Sequence, residues 1–369
     1  MLSNSSNVNR SVFLGAALVE TGRGGIAAVA RMTARALAGT GARIDLLSFL
    51  DKEEIEFDGL RCHPCRGSKL GFALFAQRLL LRNRFAVYDS LGMARAHPHF
   101  LGSLRPSAVW IHGIEVWGEM RPDYLKALRR ADLVFVNSNY TLNRFQSRHG
   151  ELSSARVCPL ATEQDEAPEQ LADFSGRPVA LMVARVDAGD VKGHSELLAS
   201  WPDVISAVPD ARLVIAGGGS GLEALREKVK ASPAAGSIDI KGFVPADCLP
   251  GLFQDAHVFA MPSWQEGFGI AYVEAMRFGL PAIASLQDAG QEVVKDGVTG
   301  YTVDLRRKDE LTARLIELLS DPGKCASAGA AGHAMWKEQF RFSQFATRFA
   351  GVWDEFCGQD GELIPAMSS

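Results

Sequence analysis

"VFLGAALVETGRGGIAAVARMTARALAGTGARIDLLSF", residues 12–49, decides the fold class. An apolar run of strand length (12–19) leads into a glycine-rich turn. "GIAAVARMTARALAGTG" (25–41) then reads as a helix closed by a glycine at its C-cap, and a second apolar run occupies 43–49. Strand, glycine turn, helix and strand in that order form the βαβ pattern of a parallel sheet.

The pattern continues outward. "FAVYDS" (85–90), "AVWIH" (108–112) and "LVFVNS" (133–138) read as further strands. Residues 162–177, "TEQDEAPEQLADFSGR", are acidic, polar and broken by proline, as a linker would be. The alternation then restarts with "PVALMVA" (178–184), "RLVIAGGG" (212–219), "SIDIKG" (237–242), "HVFAMPS" (257–263) and "PAIAS" (281–285). "GLEALREKVKA" and "IAYVEAMRFG" supply helices between them. In the tail, Phe342, Phe345, Phe349, Trp353 and Phe356 recur at helical steps, which predicts an amphipathic helix with Ser343 as its N-cap. A chain of 369 residues is long for one core. The expectation is an α/β protein with two Rossmann-like doubly wound domains, 1–165 and 166–340, followed by a helix over 341–359. Open α/β sheets bind ligands at the carboxyl ends of their strands, so the two carboxyl edges are expected to face one another across a cleft.

Composition narrows the function classes. The chain is 47% hydrophobic and 22% charged with a net charge of -4, which argues against a general nucleic-acid binder. No apolar run reaches the roughly 18–20 residues of a membrane span. The first twenty residues lack a charged segment followed by a cleavage site, so a cytoplasmic protein is expected. Cys62, Cys65, Cys158, Cys248, Cys325 and Cys357 are scattered, as reduced thiols are. "CHPC" (62–65) has redox or zinc spacing but no second pair, and reads as two loop cysteines.

Four segments carry candidate chemistry. In "GRGGIAAVAR" (22–31) the amides of Gly24 and Gly25 open a helix, which suits a phosphate or simply a tight turn. The spacing is not GxGxxG, and no acid ends the next strand, since Asp45 lies inside it. In "VARVDAGDVKGHSELL" (183–198), Arg185 and Lys192 converge on a strand end, as a diphosphate requires and as two solvated loop charges also would. "IAGGGSG" (215–221) lets the backbone at Gly217 approach a nucleotide. In "PSWQEGFGIAYVEAM" (262–276), Glu266 sits beside a helix start, with the amides of Phe268, Gly269 and Ile270 next to it. Glu274, one turn in, needs a hydrogen-bonding partner if buried, and the vicinal hydroxyls of a ribose would serve.

These residues together resemble a known family. "EGFGIAYVE" followed by "AMRFGLPAIAS" looks like the E-x7-E signature of GT-B glycosyltransferases of family GT4 (group 1). "GGIAAVARMTARALAGTGARIDLLS", "ARVDAGDVKGHSELL", "LVIAGGG", "IKGFVPADCLPGLFQDAHVFAMPS" and "EVVKDGVTGYTV" follow in the family's order, so the resemblance spans essentially the whole chain. It implies a retaining hexosyltransferase that takes a UDP-, GDP- or ADP-sugar donor and a saccharide or lipid-linked saccharide acceptor, in polysaccharide or glycolipid synthesis. The first domain would bind acceptor and the second donor, and the terminal helix would return to the first domain. Arg185 and Lys192 would neutralise the diphosphate, Glu274 would hold the ribose and Glu266 the donor sugar. Gly267, Phe268, Gly269 and Ile270 would support sugar and phosphates, with Gly217, Phe243 and Val244 completing the donor site. Gly24 and Gly25 would approach from the other domain, and His112 would face the donor sugar. No cofactor or metal is implied: the chain has no Asp-x-Asp, and the cation pair can take a metal ion's place on the leaving diphosphate. No carboxylate is nominated as a nucleophile for double displacement, so a front-face, oxocarbenium-like path is expected.

Competing readings are a nucleotide-sugar binding protein without transfer activity and a GT-B epimerase. The binder predicts loss of Glu266 or Lys192, and both are present. An NAD-dependent oxidoreductase predicts the glycine fingerprint and ribose acid that are missing. "SKLGFALFAQRLLLRNR" (68–84) mixes Lys69, Arg78, Arg82 and Arg84 with leucine and phenylalanine, which fits either peripheral contact with an anionic membrane or an ordinary surface helix with a basic rim.

Overall fold

The computed structural model describes residues 10–98 and 105–359, and these fall into two compact units. One is drawn from 10–98, 105–137, 141–163 and 342–359, the other from 138–140 and 164–341.

The first unit holds an eight-stranded sheet: β1 (Ser11–Ala16), β2 (Arg43–Ser48), β3 (Ile55–Phe57), β4 (Leu60–Pro64), β5 (Phe85–Tyr88), β6 (Ser107–Ile111), β7 (Leu133–Val136) and β8 (Ala155–Val157). Its order is β3-β4-β2-β1-β5-β6-β7-β8, and every pair is parallel except β3 with β4. β1, β5, β6 and β7 are buried along their whole length, which is why they stand out in sequence as unbroken apolar runs. β3, β4 and β8 lie at or next to the sheet edges, carry polar and half-exposed residues, and are absent from the apolar-run reading. The helix Gly25–Gly39 (α1) follows β1, and the helix Lys69–Leu80 (α2) follows β4.

The terminal helix, Phe342–Gln359, belongs to this unit and packs on α1. Its aromatic stripe does the packing. Phe345 stacks on Trp110 at 6.1 Å, Phe349 on Phe135 at 4.8 Å, and Trp353 meets Phe85 at 5.4 Å. Arg35 lies over the Phe342 ring at 3.8 Å, and Arg10 pairs with Asp354. The helix begins at Phe342, so Ser343 lies inside its first turn and is not the N-cap; the preceding Arg341 is still extended.

The second unit holds a six-stranded, all-parallel sheet: β9 (Val179–Val183), β10 (Arg212–Ala216), β11 (Ile238–Gly242), β12 (Val258–Ala260), β13 (Ala282–Ser285) and β14 (Gly300–Val303). Its order, β11-β10-β9-β12-β13-β14, is the doubly wound order 3-2-1-4-5-6. The strand sequence reverses between β9 and β12 here, and between β1 and β5 in the first unit. Ligands of such sheets sit at the carboxyl ends of the strands flanking that reversal.

The cysteine reading is corrected in one respect. Cys62 lies on β4, not in a loop, and both Cys62 and Cys65 are buried, free thiols. Burial pushes the Cys62 thiol up to about 12 and raises Cys65, so neither is a poised redox group. Asp45 is engaged within the strand layer by Arg43 at 3.0 Å and Asn83 Nδ2 at 2.7 Å. Among the described residues no helix is long and apolar enough to cross a membrane.

Candidate active site

In the second unit the predicted residues collect at the reversal point. β9 ends at Val183, and Arg185 and Lys192 follow in its loop. β12 ends at Ala260, and Glu266 follows in its loop. The two loops are laced together: Val191 O accepts from Ser263 Oγ and from Trp264 N, each at 2.9 Å. Across that lacing Lys192 Nζ donates to Glu266 Oε2 at 2.8 Å, with both side chains about four-fifths buried (22% and 18% exposed). Lys192 leads into the helix His194–Ala207, whose opening amides at His194 and Ser195 donate to Asp190. Burial works to raise the Asp190 carboxyl. Hydrogen bonds from His194 and Ser195, with the charges of His194 and Lys228, hold it well below the usual range. Asp190 is thereby a fixed anion that anchors the turn carrying Lys192.

Arg185 does not share a partner with Lys192. It is exposed and bonds Asp187 Oδ2 at 2.6 Å. Each cation on the loop that follows β9 is paired with its own carboxylate, Arg185 with Asp187 and Lys192 with Glu266. Arg185 does adjoin the other glycine loop. A Cβ on Gly217 would stand 1.8 Å from Ala184 O, so only glycine permits this backbone approach. Gly217 N donates to Gly242 O at 2.7 Å, which brings the exposed Phe243 and half-buried Val244 to the same edge. Arg185, Gly217, Phe243 and Val244 thus line the ends of β9, β10 and β11.

The segment 266–270 turns tightly into the helix Ile270–Arg277. Gly269 caps it at φ +97°, where an added Cβ would stand 2.2 Å from the Tyr272 ring. Phe268 N leans to Glu266 Oε1 at 3.4 Å, so this amide is partly engaged, and Tyr272 N donates to Gly269 O at 3.0 Å, whereas the amides of Ile270 and Ala271 lack intrahelical acceptors. The Phe268 ring is buried against Phe340, leaving its backbone for the site. Gly267 precedes it, half-buried. Glu274 lies one turn in and is half-buried; Arg277 supplies opposite charge within the same helix.

Sequence reading missed Asp288. It follows β13, has no exposure, and its carboxylate accepts from Glu266 N at 2.8 Å and Gly290 N at 2.9 Å, with Ser263 alongside. Burial, reinforced by the charge of Glu266, pushes it up to about 7. It fastens the backbone of Glu266 from a strand 22 residues away. Its place past an apolar strand, at the carboxyl edge, is shared by many loop acids and did not single it out.

In the first unit, Gly24 and Gly25 lie exposed at the start of α1, just past β1. Asp89, just past β5, accepts from Ala17 N at 2.6 Å and from Ser90 Oγ at 2.8 Å. Burial pushes it up to about 6, against the pull of those hydrogen bonds and of His112. His112, half-buried at the end of β6, bonds Asp89 O through Nε2 at 2.6 Å. A carbonyl only accepts, so Nε2 carries the proton and Nδ1 is the lone-pair nitrogen when the ring is neutral. Glu115 accepts from His112 N at 2.5 Å, and Asn137 Nδ2 donates to His112 O at 2.9 Å, so this histidine's backbone is fixed from both sides. Gly24 and Gly25 therefore follow β1, one of the two strands that flank this sheet's own reversal, and His112 follows β6, the next strand beyond β5, where its ring is tied to Asp89 O.

Among the described residues no group of three His, Cys, Asp or Glu side chains is placed to hold a metal ion.

The family profile of "Glycosyl transferases group 1" matches residues 163–335. A GDP-mannose-dependent alpha-(1-6)-phosphatidylinositol monomannoside mannosyltransferase of Mycolicibacterium smegmatis is 33% identical over 264 residues, which is 65% of this chain and 69% of that protein. Two solved structures superpose over nearly the full length. Sucrose-phosphate synthase from Thermosynechococcus elongatus gives a TM-score of 0.82 at 19% identity, covering 95% of this chain and 100% of that one. Anabaena HepE in complex with UDP and glucose gives 0.76 at 17%, covering 94% and 99%. The fold is that of the GT-B glycosyltransferases. The chain belongs to the glycosyl transferases group 1, and is a hexosyltransferase.

Proposed function

We propose that the chain transfers a hexosyl unit, with retention of anomeric configuration, from a nucleoside-diphosphate sugar to a saccharide or lipid-linked saccharide acceptor in glycan or glycolipid synthesis. The observation that carries this reading is the Lys192–Glu266 pair at the strand reversal of a doubly wound sheet, with Arg185 on the same edge. Such an edge presents cations and helix amides to a diphosphate and a carboxylate to sugar hydroxyls. GDP-mannose is the first donor to test, since the relative at 33% identity is described as GDP-mannose-dependent; UDP- and ADP-sugars are the alternatives.

In this reading Lys192 exchanges Glu266 for a phosphate oxygen when donor binds, which releases Glu266 to the donor sugar. Arg185 makes the same exchange from Asp187. Glu274 holds the ribose hydroxyls, and Gly217, Phe243, Val244 and the 267–270 turn complete the donor site. Gly24, Gly25 and His112 serve from the first unit, which takes the acceptor. The bond from C1 to the phosphate oxygen breaks as the acceptor oxygen bonds C1 on the same face. The acceptor proton passes to the departing phosphate oxygen. Arg185 and Lys192 stabilise the charge that develops there, so no metal ion is called for. The protein acts in the cytoplasm, peripherally on the inner face of the cell membrane when the acceptor is lipid-linked.

The test is nucleotide release with GDP-mannose, UDP-glucose and ADP-glucose, followed by phosphorus NMR, with the anomer of any glycoside read by proton NMR. Release of one nucleoside diphosphate with an α-linked product from an α-linked donor is expected. An inverted product, or no release from any donor, refutes the reading.

A further inference from the structure

Residues 59–88 contain six arginines and lysines and no aspartate or glutamate, in a chain that carries 43 acids. α2 runs through this window. Its Ser68 N-cap accepts from Gly71 N at 3.0 Å, and Phe72, Ala76 and Leu80 anchor its inner face. The outer face is unusual. Leu70 is 71% exposed, Leu74 57%, Phe75 54% and Leu81 69%, four of the largest apolar exposures on the described surface. At 100° per residue Leu70, Leu74 and Leu81 fall within about 40° of arc, over about 16 Å of helix. Arg78 and Arg82 come next around the helix, then Phe75, while Lys69 opens it. All three cations are exposed, and among the described residues none has an acidic partner. Three aligned leucines flanked by unpaired cations are costly in water and fit an interface that is apolar below and anionic above.

The topology adds a second, separate observation. Helices after parallel strands start at the carboxyl edge, so the N-terminal half of α2 lies at the edge that carries Gly24 and His112. Three more exposed apolar side chains stand on that edge: Ile26 in the first turn of α1, Leu50 in the loop after β2 and Ile114 at the start of a one-turn helix after β6. β4, β2 and β1 are successive neighbours in the sheet.

We propose that α2 with Leu81 and Arg82 docks the chain on an anionic lipid bilayer. Leu70, Leu74, Phe75 and Leu81 enter the headgroup–acyl boundary, while Lys69, Arg78 and Arg82 meet lipid phosphates. The first unit's carboxyl edge is then held near the membrane surface, where the headgroup of a lipid-linked acceptor lies. This inference deepens the acceptor reading and rests on it for that last step; the docking itself is testable without catalysis.

The experiment is co-sedimentation of the full chain with phosphatidylcholine vesicles and with vesicles that also contain phosphatidylglycerol, at low and high salt. Binding to the anionic vesicles only, weakened by salt, is expected. Leu74→Glu with Phe75→Glu, and separately Lys69→Gln with Arg78→Gln and Arg82→Gln, should each lower partitioning roughly 10–100-fold. Both variants should keep the wild-type melting temperature and its shift on adding donor nucleotide, which shows that they fold. Val298→Glu, at an exposed apolar site in the second unit, should partition as the wild type does. Equal binding to both vesicle types, or unchanged binding by both multiple variants, overturns the proposal. Vesicle binding without any nucleotide response would instead refute the transferase reading and leave the docking intact.

Discussion

Lys192 and Glu266 stand 74 positions apart in sequence and 2.8 Å apart in space. That contact gives the donor-site residues distinct expected phenotypes. Glu266→Ala should lower turnover by roughly 10²–10³ with little change in nucleotide affinity, as loss of a group acting on the sugar does. Glu274→Ala should chiefly weaken nucleotide binding. Steady-state kinetics with a separate nucleotide titration checks both, and unchanged values in the two variants would refute the assignments. Asp288 makes a pH prediction. Its carboxyl ionises near 3.8 when unfolded and near 7 when folded, so the folded state holds an extra proton between those values. Its stabilising contribution is full below the unfolded value and is lost as pH rises through 7, on the order of 2–4 kcal/mol. The groups around it are Glu266, Ser263 and Tyr272, with Lys192 beyond Glu266. Asp288→Asn should remove this slope: wild-type melting temperature should fall relative to the variant between pH 5 and pH 8. Parallel curves would contradict the assignment. Neither Asp288 nor Asp89 could be singled out from sequence, because what distinguishes them is which amides, on a different strand's loop, they fasten.

The turns between strand and helix carry the site, and their glycines are its most constrained points. Gly269→Ala combines a left-handed φ of +97° with a Cβ 2.2 Å from the Tyr272 ring. Its expected cost is about 2–4 kcal/mol, read as a lower denaturation midpoint together with loss of donor binding. A wild-type midpoint would mean that the turn can relax. At this scale the sequence was informative where an element is buried on both faces. β1, β5, β6 and β7 read directly from apolar runs, and the E-x7-E segment was placed correctly at a strand-to-helix turn. Edge elements were not legible. "IEF", "LRCHP" and "ARV" are short and half-polar, and their strand character comes from pairing with a neighbour already in the sheet. Ser343 was misplaced as a cap because capping depends on where the chain leaves the helical φ/ψ region, which a one-residue shift changes without altering the aromatic period.

For the whole molecule, the terminal helix is a structural part of the first unit. Phe345, Phe349 and Trp353 have no exposure; the first two stack on Trp110 and Phe135, and Trp353 meets Phe85 edge to face. Trp353→Ala should cost about 3–5 kcal/mol of stability, seen as a lower melting temperature, while nucleotide affinity in the second unit stays at the wild-type value. Equal loss of both would show that the helix has a direct part in donor binding. The second unit carries cations and carboxylates at its strand reversal, and the proposed donor site rests on them. The most direct measurement is a thermal-shift titration of the wild type and Lys192→Ala with GDP, UDP, ADP and their sugars, in magnesium and in EDTA. The expected result is one nucleoside diphosphate that stabilises the wild type equally in both buffers and fails to stabilise Lys192→Ala. Stabilisation by none of them, or only when magnesium is present, would contradict the account.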